Sequence, residues 1–349
     1  MKATKITLIS LAILAVGSLI AWRVSKERLP DTAHPVLVLS SAPTPAKKES
    51  DKGSAASRIK QFMEDGVSVS VSAEQLMAYV EKQKHSASSL LAAWSIGHDN
   101  AWLDEATQRY PDDPRVALAK LGSMDDLKGD SKEWIDRLKK NDPQNGLAWC
   151  YDAMSMLKDG APEEARFALA EAARLGRFDT YANKGSKGIA DAYESAGYDE
   201  LSAGMIGMAM TPLPHQQLVI NLQKELLKQF SPVADDALVQ DMLHLSKNVR
   251  SQNGNGSLIT DLVGSSMERK VLNELNALDL VPGTKKLVVE RMEELVQENN
   301  LVRDLIQKVT PLMMSTMSDT QLKQYQRRYT VEGELKALQW LLKQQPEAR

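Results

Sequence analysis

Through most of this chain apolar residues return every three or four positions, as one face of an α-helix requires. The pattern is clearest over 142–175. Asp142-Pro143 interrupts the chain, because proline lacks a backbone donor and restricts the residue before it. Residues 147–157 are rich in helix formers. Lys158-Asp159-Gly160 ends that helix, with Gly160 placed for the left-handed conformation common past a C-terminus. Pro162 opens a second helix without losing a hydrogen bond, and Glu163 and Glu164 complement its positive end. Ala165, Leu169, Ala172 and Ala173 then recur at helical spacing, small where two helices approach closely.

The same reading predicts helices over 73–84, 86–96, 101–110 and 130–140 ahead of this hairpin. Ser72 and Gln75 form a capping box for the first. Residues 67–72 alternate with period two but have no partner strand, so they read as an extended entry to that helix. After the hairpin, 187–210 looks like another unit. Ile189, Ala192, Tyr193 and Ala196 line one helix, Gly197 breaks it, and Ala203, Ile206 and Met210 line the next. Pro212 and Pro214 close the unit. Further helices are predicted over 216–230, 233–249, 257–280, 285–308 and 318–344. A loop at 253–256, a stop at Pro282-Gly283 and a second capping box at Ser318 and Gln321 punctuate them.

Trp149, Ala153, Gly160, Ala165 and Ala172, with Leu169 in an aromatic slot, resemble the tetratricopeptide repeat. Asp152, Met156 and Arg177 depart from its pattern. The Asp-Pro pairs that begin at Asp113 and Asp142 lie 29 residues apart, shorter than that family's period of about 34. The resemblance implies a right-handed α-solenoid of helical hairpins that binds a peptide or protein on its concave surface.

The N-terminus follows another rule. Lys2 and Lys5 precede an uncharged run over 6–22, and Arg23, Lys26 and Arg28 follow it. Seventeen residues suffice for a short membrane-spanning helix whose flanking cations snorkel, with Trp22 at the interface. The competing readings are a cleavable signal peptide, with Ala15-Val16-Gly17 as its small-residue site, and a buried helix. The run continues past Gly17, which favours the uncleaved anchor. The very short N-terminal tail places the bulk of the chain outside the cytoplasm, in the periplasm of a cell envelope. Four prolines and the stretch AKKESDKGSAAS make 29–57 a linker.

Charge and composition add little chemistry. The 349 residues are 26% charged with a net charge of −3, so nothing draws the whole chain to nucleic acid. Aromatics are 5%, which favours helices over strands. Cys150 is the only cysteine, excluding an internal disulfide and a cysteine-based zinc site, and reads as a packing thiol. His34, His85, His98, His215 and His244 are scattered. Asp241 and His244 have the spacing of two ligands on one helix face, but no second such pair exists. The 253–256 loop lacks the Gly-Lys-Ser/Thr of a phosphate loop. Met313, Met314 and Met317 read as core or a helix end. Glu290, Glu293, Glu294 and Glu298, with Arg291 and Lys308 nearby, read as a solvated face, with a docking surface as the alternative.

The expectation is an all-α chain in four parts: an anchor at 1–28, a linker at 29–57, a helical-repeat domain at 58–214, and a C-terminal helical domain at 215–349 continuous with it. Its expected role is a membrane-anchored, non-enzymatic scaffold or adaptor for a protein or peptide, with no catalytic residue, cofactor or metal. The alternative is an enzyme or small-ligand-binding protein whose site is assembled from helices after residue 215.

Overall fold

A computed structural model describes residues 71–344 except 125, 128, 130 and 252–256. The anchor at 6–22, the linker at 29–57, most of 67–72 and the loop at 253–256 lie outside the described residues. Within them the regular structure is helical, and two isolated bridges, Asn145–Arg177 and Leu280–Leu287, are the whole of the β pairing. Among the described residues no helix is long and apolar enough to cross a membrane.

The helices are α1 (Ala73–Lys82), α2 (Ala87–Gly97), α3 (Asn100–Arg109), α4 (Pro114–Ser123), α5 (Ser131–Asn141), α6 (Gly146–Lys158), α7 (Pro162–Leu175), α8 (Ala182–Ser195), α9 (Glu200–Met210) and α10 (Pro214–Gln229). A 3₁₀ turn (Pro232–Ala234) follows, then α11 (Asp236–Ser251), α12 (Leu258–Leu272), α13 (Val288–Ser315), α14 (Asp319–Glu332) and α15 (Glu334–Lys343). Both capping boxes form: Ser72 Oγ accepts the Gln75 N–H at 3.3 Å, and Ser318 Oγ accepts the Gln321 N–H at 3.2 Å. Gly160 has φ +77° in the turn between α6 and α7.

Three helices end elsewhere than their hydrophobic pattern suggests. The element expected over 257–280 stops at Leu272, and beyond it Asn276 Oδ1 accepts the Leu278 N–H at 3.1 Å in place of a further helical turn. α13 runs on to Ser315 through Pro311, whose missing N–H the helix tolerates. The last element is two helices, because Gly333 adopts φ +86° and turns the chain between them.

Sequential helices pack as antiparallel hairpins, α6 with α7, α8 with α9, α11 with α12 and α14 with α15. Other contacts join helices distant in sequence. α8 returns to pack on α1 and α2, α10 lies on α6, α11 on α7, and α14 on α9. A strictly one-dimensional stack has only nearest-neighbour contacts, so these hairpins also close on one another laterally. The main apolar core draws on α4 to α7 together with α10, α11 and α12, on both sides of residue 215. A second core joins α13, α14 and α15 to Leu201 and Leu258, and a third sits among α1 to α4 with Ala192 of α8.

Candidate functional site

The lateral return of α8 leaves a cleft of about 100 Å³, open to solvent, between α2, α4, α8 and α10. α2 lines it with Ser88, Leu91, Ala92, Trp94 and Ser95, and α4 with Arg115, Leu118 and Ala119. Thr180, Tyr181, Ala182, Lys184 and Gly185 come from the start of α8. Thr211, Pro212, Pro214 and His215 come from the link into α10. Apolar walls with a few converging polar groups are the usual form of a ligand-binding pocket.

The polar groups are tightly arranged. Asp113 caps α4 by accepting the Arg115 N–H at 2.9 Å, and its carboxylate also holds the Arg115 guanidinium at 2.6 and 3.0 Å. A third donor of Arg115 reaches Ser88 Oγ on α2 at 2.6 Å. Burial alone would raise the Asp113 pKa, but these bonds from Arg115 outweigh it and hold the carboxyl below its ordinary value. His215 is 5% exposed, and its Nδ1 lies 2.8 Å from the Tyr151 hydroxyl of α6. Burial lowers its pKa to about 3, so the ring is neutral.

Tyr181 sets the rim. It precedes α8 in the left-handed region at φ +55°, and its hydroxyl donates to Asp142 between α5 and α6. Asp142 also pairs with Arg177, whose second amino group meets Asp179 at 2.9 Å. Asn145 is fully buried and completes the tie. Its Oδ1 accepts from Leu147 N–H at 3.2 Å and Asp179 N–H at 3.1 Å, while its Nδ2 donates to the Asp179 carbonyl at 2.8 Å. The tie binds the α5–α6 turn to the α7–α8 turn and positions the first turn of α8. Arg177, a departure from the repeat pattern, thus has a structural task.

Two helix starts at the cleft lack side-chain caps. α8 follows Tyr181 and α10 follows Leu213, and neither side chain supplies an acceptor, while Asp179 Oδ1 accepts the Tyr181 N–H at 2.8 Å just ahead of α8. Among the described residues no acceptor meets the amides of Ala182, Asn183 and Lys184. Lys184 is exposed, has no ion pair among the described residues, and places its Nζ 5.6 Å from the Tyr181 ring centroid.

The residues singled out for chemistry lie apart. His34 is outside the described residues. His85 meets Glu105 at 2.7 Å, and His98 ends α2 at φ +53°. His244 is exposed on α11, and the half-buried Asp241 carboxyl is raised by burial. Cys150 is fully buried, and burial pushes its thiol up to about 12, which suits packing better than nucleophilic attack. Among the described residues no three histidine, cysteine, aspartate or glutamate side chains gather as a metal site.

The acidic stretch 290–298 is part of an ion network rather than a bare charged face. Arg291 on α13 reaches Glu268 on α12 at 2.6 Å and Glu298 at 2.8 Å, and Glu294 at 2.9 Å. Arg250 on α11 reaches Asp261 at 3.2 Å, Glu268 at 3.3 Å and Glu298 at 2.8 Å. Lys286 pairs with Glu294, and Glu290 accepts the Leu287 N–H at the start of α13.

Of the cleft residues, the sequence marks Pro212 and Pro214 as the end of a helical unit and His215 as one of five scattered histidines. Trp94, Arg115, Tyr181 and Lys184 carry no motif, and they meet only through the return of α8. The absence of a capping residue before Ala182 was the available signal. Comparison with protein-family models, curated proteins and solved structures finds no match.

Proposed function

We propose that this chain is a non-enzymatic binding protein that holds a peptide segment of a protein partner in the cleft between α2, α4, α8 and α10. The observation that carries this reading is the chemistry of the cleft. Its walls are apolar and aromatic, and its ionisable groups are bonded to supporting residues, Arg115 to Asp113 and His215 to Tyr151. General acid–base or nucleophilic work needs such groups turned toward one reacting centre. Aromatic and arginine side chains around an apolar hollow instead resemble the anchors of peptide interfaces. The hairpins support kinship in architecture with tetratricopeptide-like repeats, and the uncharged run 6–22 supports a single-pass tether with the bulk of the chain outside the cytoplasm.

Selection of a random peptide library on the full chain in lipid nanodiscs tests this. Peptides should be enriched on the natural sequence and lost on Trp94→Ala. No enrichment, or enrichment indifferent to Trp94→Ala, would overturn the reading. Alanine scanning of His85, His98, His215, His244, Asp241 and 290–298 should leave residual function at every position. A folded variant with complete loss would favour an enzyme.

A further inference from the structure

We infer that the outer face of α13 is a second docking surface, independent of the cleft, and that its occupant is a helix of a partner protein whose apolar stripe is flanked by lysine or arginine. Four apolar side chains stand in solvent there. Leu278 is 75% exposed, Leu280 59%, Val289 38% and Val296 53%. Val289 and Val296 lie two turns apart on one face of α13. Another face of the helix is already used, with Val288 and Leu295 buried against Leu272 and Val281. The loop ahead of α13 brings the two leucines beside the valines. The Ala277 carbonyl accepts the Val289 N–H at 3.0 Å, the Asp279 carbonyl accepts the Val288 N–H at 2.9 Å, and Leu280 bridges Leu287. Backbone bonds thus hold the patch in place, and a partner meets it already ordered.

Single exposed apolar residues are ordinary, but a contiguous group of them marks an interaction surface. α13 packs on α12 and α15, and its exposed valines show that no described helix lies over this face. Apolar residues two turns apart match the stripe of a helix laid along α13. Charge selects the kind of helix. Of the acids over 290–298, Glu290 accepts the Leu287 N–H, and Glu294 and Glu298 are held by Arg291. Glu293, between Val289 and Val296, is exposed and has no partner among the described residues. The same holds for Asp279, between the two leucines, and for Glu274 at the start of the loop. Against these three acids the loop sets one free cation, Lys285, since Lys286 is taken up by Glu294. The face is therefore net negative and complements a basic partner. A second copy in a two-fold interface would turn Asp279 and Glu293 toward their own counterparts, like charge against like.

The test uses the full chain in neutral phosphatidylcholine nanodiscs, with empty nanodiscs as the reference for lipid binding. Its probes are three labelled helical peptides of equal length that share one leucine stripe and differ in its flanks, which are lysine, glutamine or glutamate. By fluorescence anisotropy the lysine peptide should bind about tenfold more tightly than the glutamine peptide, the scale of two exposed ion pairs. The glutamate peptide should bind more weakly than either. Asp279→Asn with Glu293→Gln should remove that order and leave the affinity for the glutamine peptide unchanged. Leu278→Ser with Leu280→Ser should abolish binding of all three, and both pairs alter exposed side chains, so Tm should stay natural. The cleft lies on other helices and is untouched by either pair. Binding no stronger than to empty nanodiscs, or binding that survives the leucine pair, would overturn the docking surface. Equal binding of the lysine and glutamine peptides would overturn the basic partner. Self-association in sedimentation velocity that the leucine pair dissolves would overturn it in favour of a second copy.

Discussion

His215 shows how one buried side chain shapes both the site and the response to acid. In the fold its pKa is lowered to about 3, because burial opposes the charged ring. In the unfolded chain it titrates near ~6.5. As pH falls through that window the unfolded chain takes up a proton that the fold refuses, so this contribution to stability is lost from about pH 6.5 toward pH 3. His215→Gln retains a partner for Tyr151 but not the titration. Calorimetric Tm between pH 7 and pH 4 should therefore fall less in the variant than in the natural chain, and parallel curves would contradict the assignment. Ala165 is the second residue-scale case. It is fully buried where α6 meets α7. Ala165→Leu should overpack that contact and cost about 1–3 kcal/mol, read by urea unfolding. An unchanged midpoint would place Ala165 away from the contact. Residues whose role is local were legible in the sequence. Gly160, Ser72 with Gln75, and the buried Cys150 each declare themselves by neighbours a few positions away. His215 finds Tyr151 across 64 residues, and no local pattern encodes that pairing.

At the scale of elements, the hydrophobic period located nearly every helix, and errors arose where a short polar or glycine signal competed with it. Gly333 sits inside an apolar pattern that continues on either side, so the break between α14 and α15 is conformational and not compositional. α8 begins at Ala182, several residues before the apolar stripe beginning at Ile189, because its first turn faces the cleft and not a core. Gly207 shows what glycine does at a helix crossing. A Cβ there would lie 2.3 Å from the Ser186 carbonyl oxygen of α8, so α9 can approach only without a side chain at that position. Gly207→Ala should push α8 and α9 apart, costing about 1–3 kcal/mol. The same shift should weaken peptide binding, since α8 forms one wall of the cleft. Thermal unfolding and peptide affinity check the two effects separately, and a variant with natural Tm would show that the crossing yields without strain.

For the whole molecule, charge pairing adds to the apolar packing where α11, α12 and α13 meet. Glu268 receives Arg250 from α11 and Arg291 from α13 and is itself little exposed. Glu268→Gln would leave both guanidinium groups short of a charge and should cost about 1–3 kcal/mol, measured by urea unfolding. A loss no greater than that of an exposed pair would show the network to be dispensable. Burial alone would raise the Glu298 carboxyl, but bonds from Arg291 and Arg250 hold it below its ordinary value. Its share of stability is thus present above the ordinary carboxylate range and lost as pH falls through the lowered value. The proposed tether at 6–22 makes a prediction of its own. Full-length protein should stay with membranes through a carbonate wash, and recovery in the supernatant, or a mature N-terminus at Ser18, would refute the anchor. The sequence foresaw the helical class and the hairpins. It did not foresee the lateral closures, because neighbouring helices announce one another through a shared turn whereas α8 and α2 share none. That closure has a consequence in time. The Tyr79 hydroxyl of α1 donates to the Gly188 carbonyl, 109 residues further along. A ribosome takes on the order of 5–20 s to cover that distance. During that interval the first helices emerge with the surface meant for α8 uncovered, until residue 195 has left the exit tunnel.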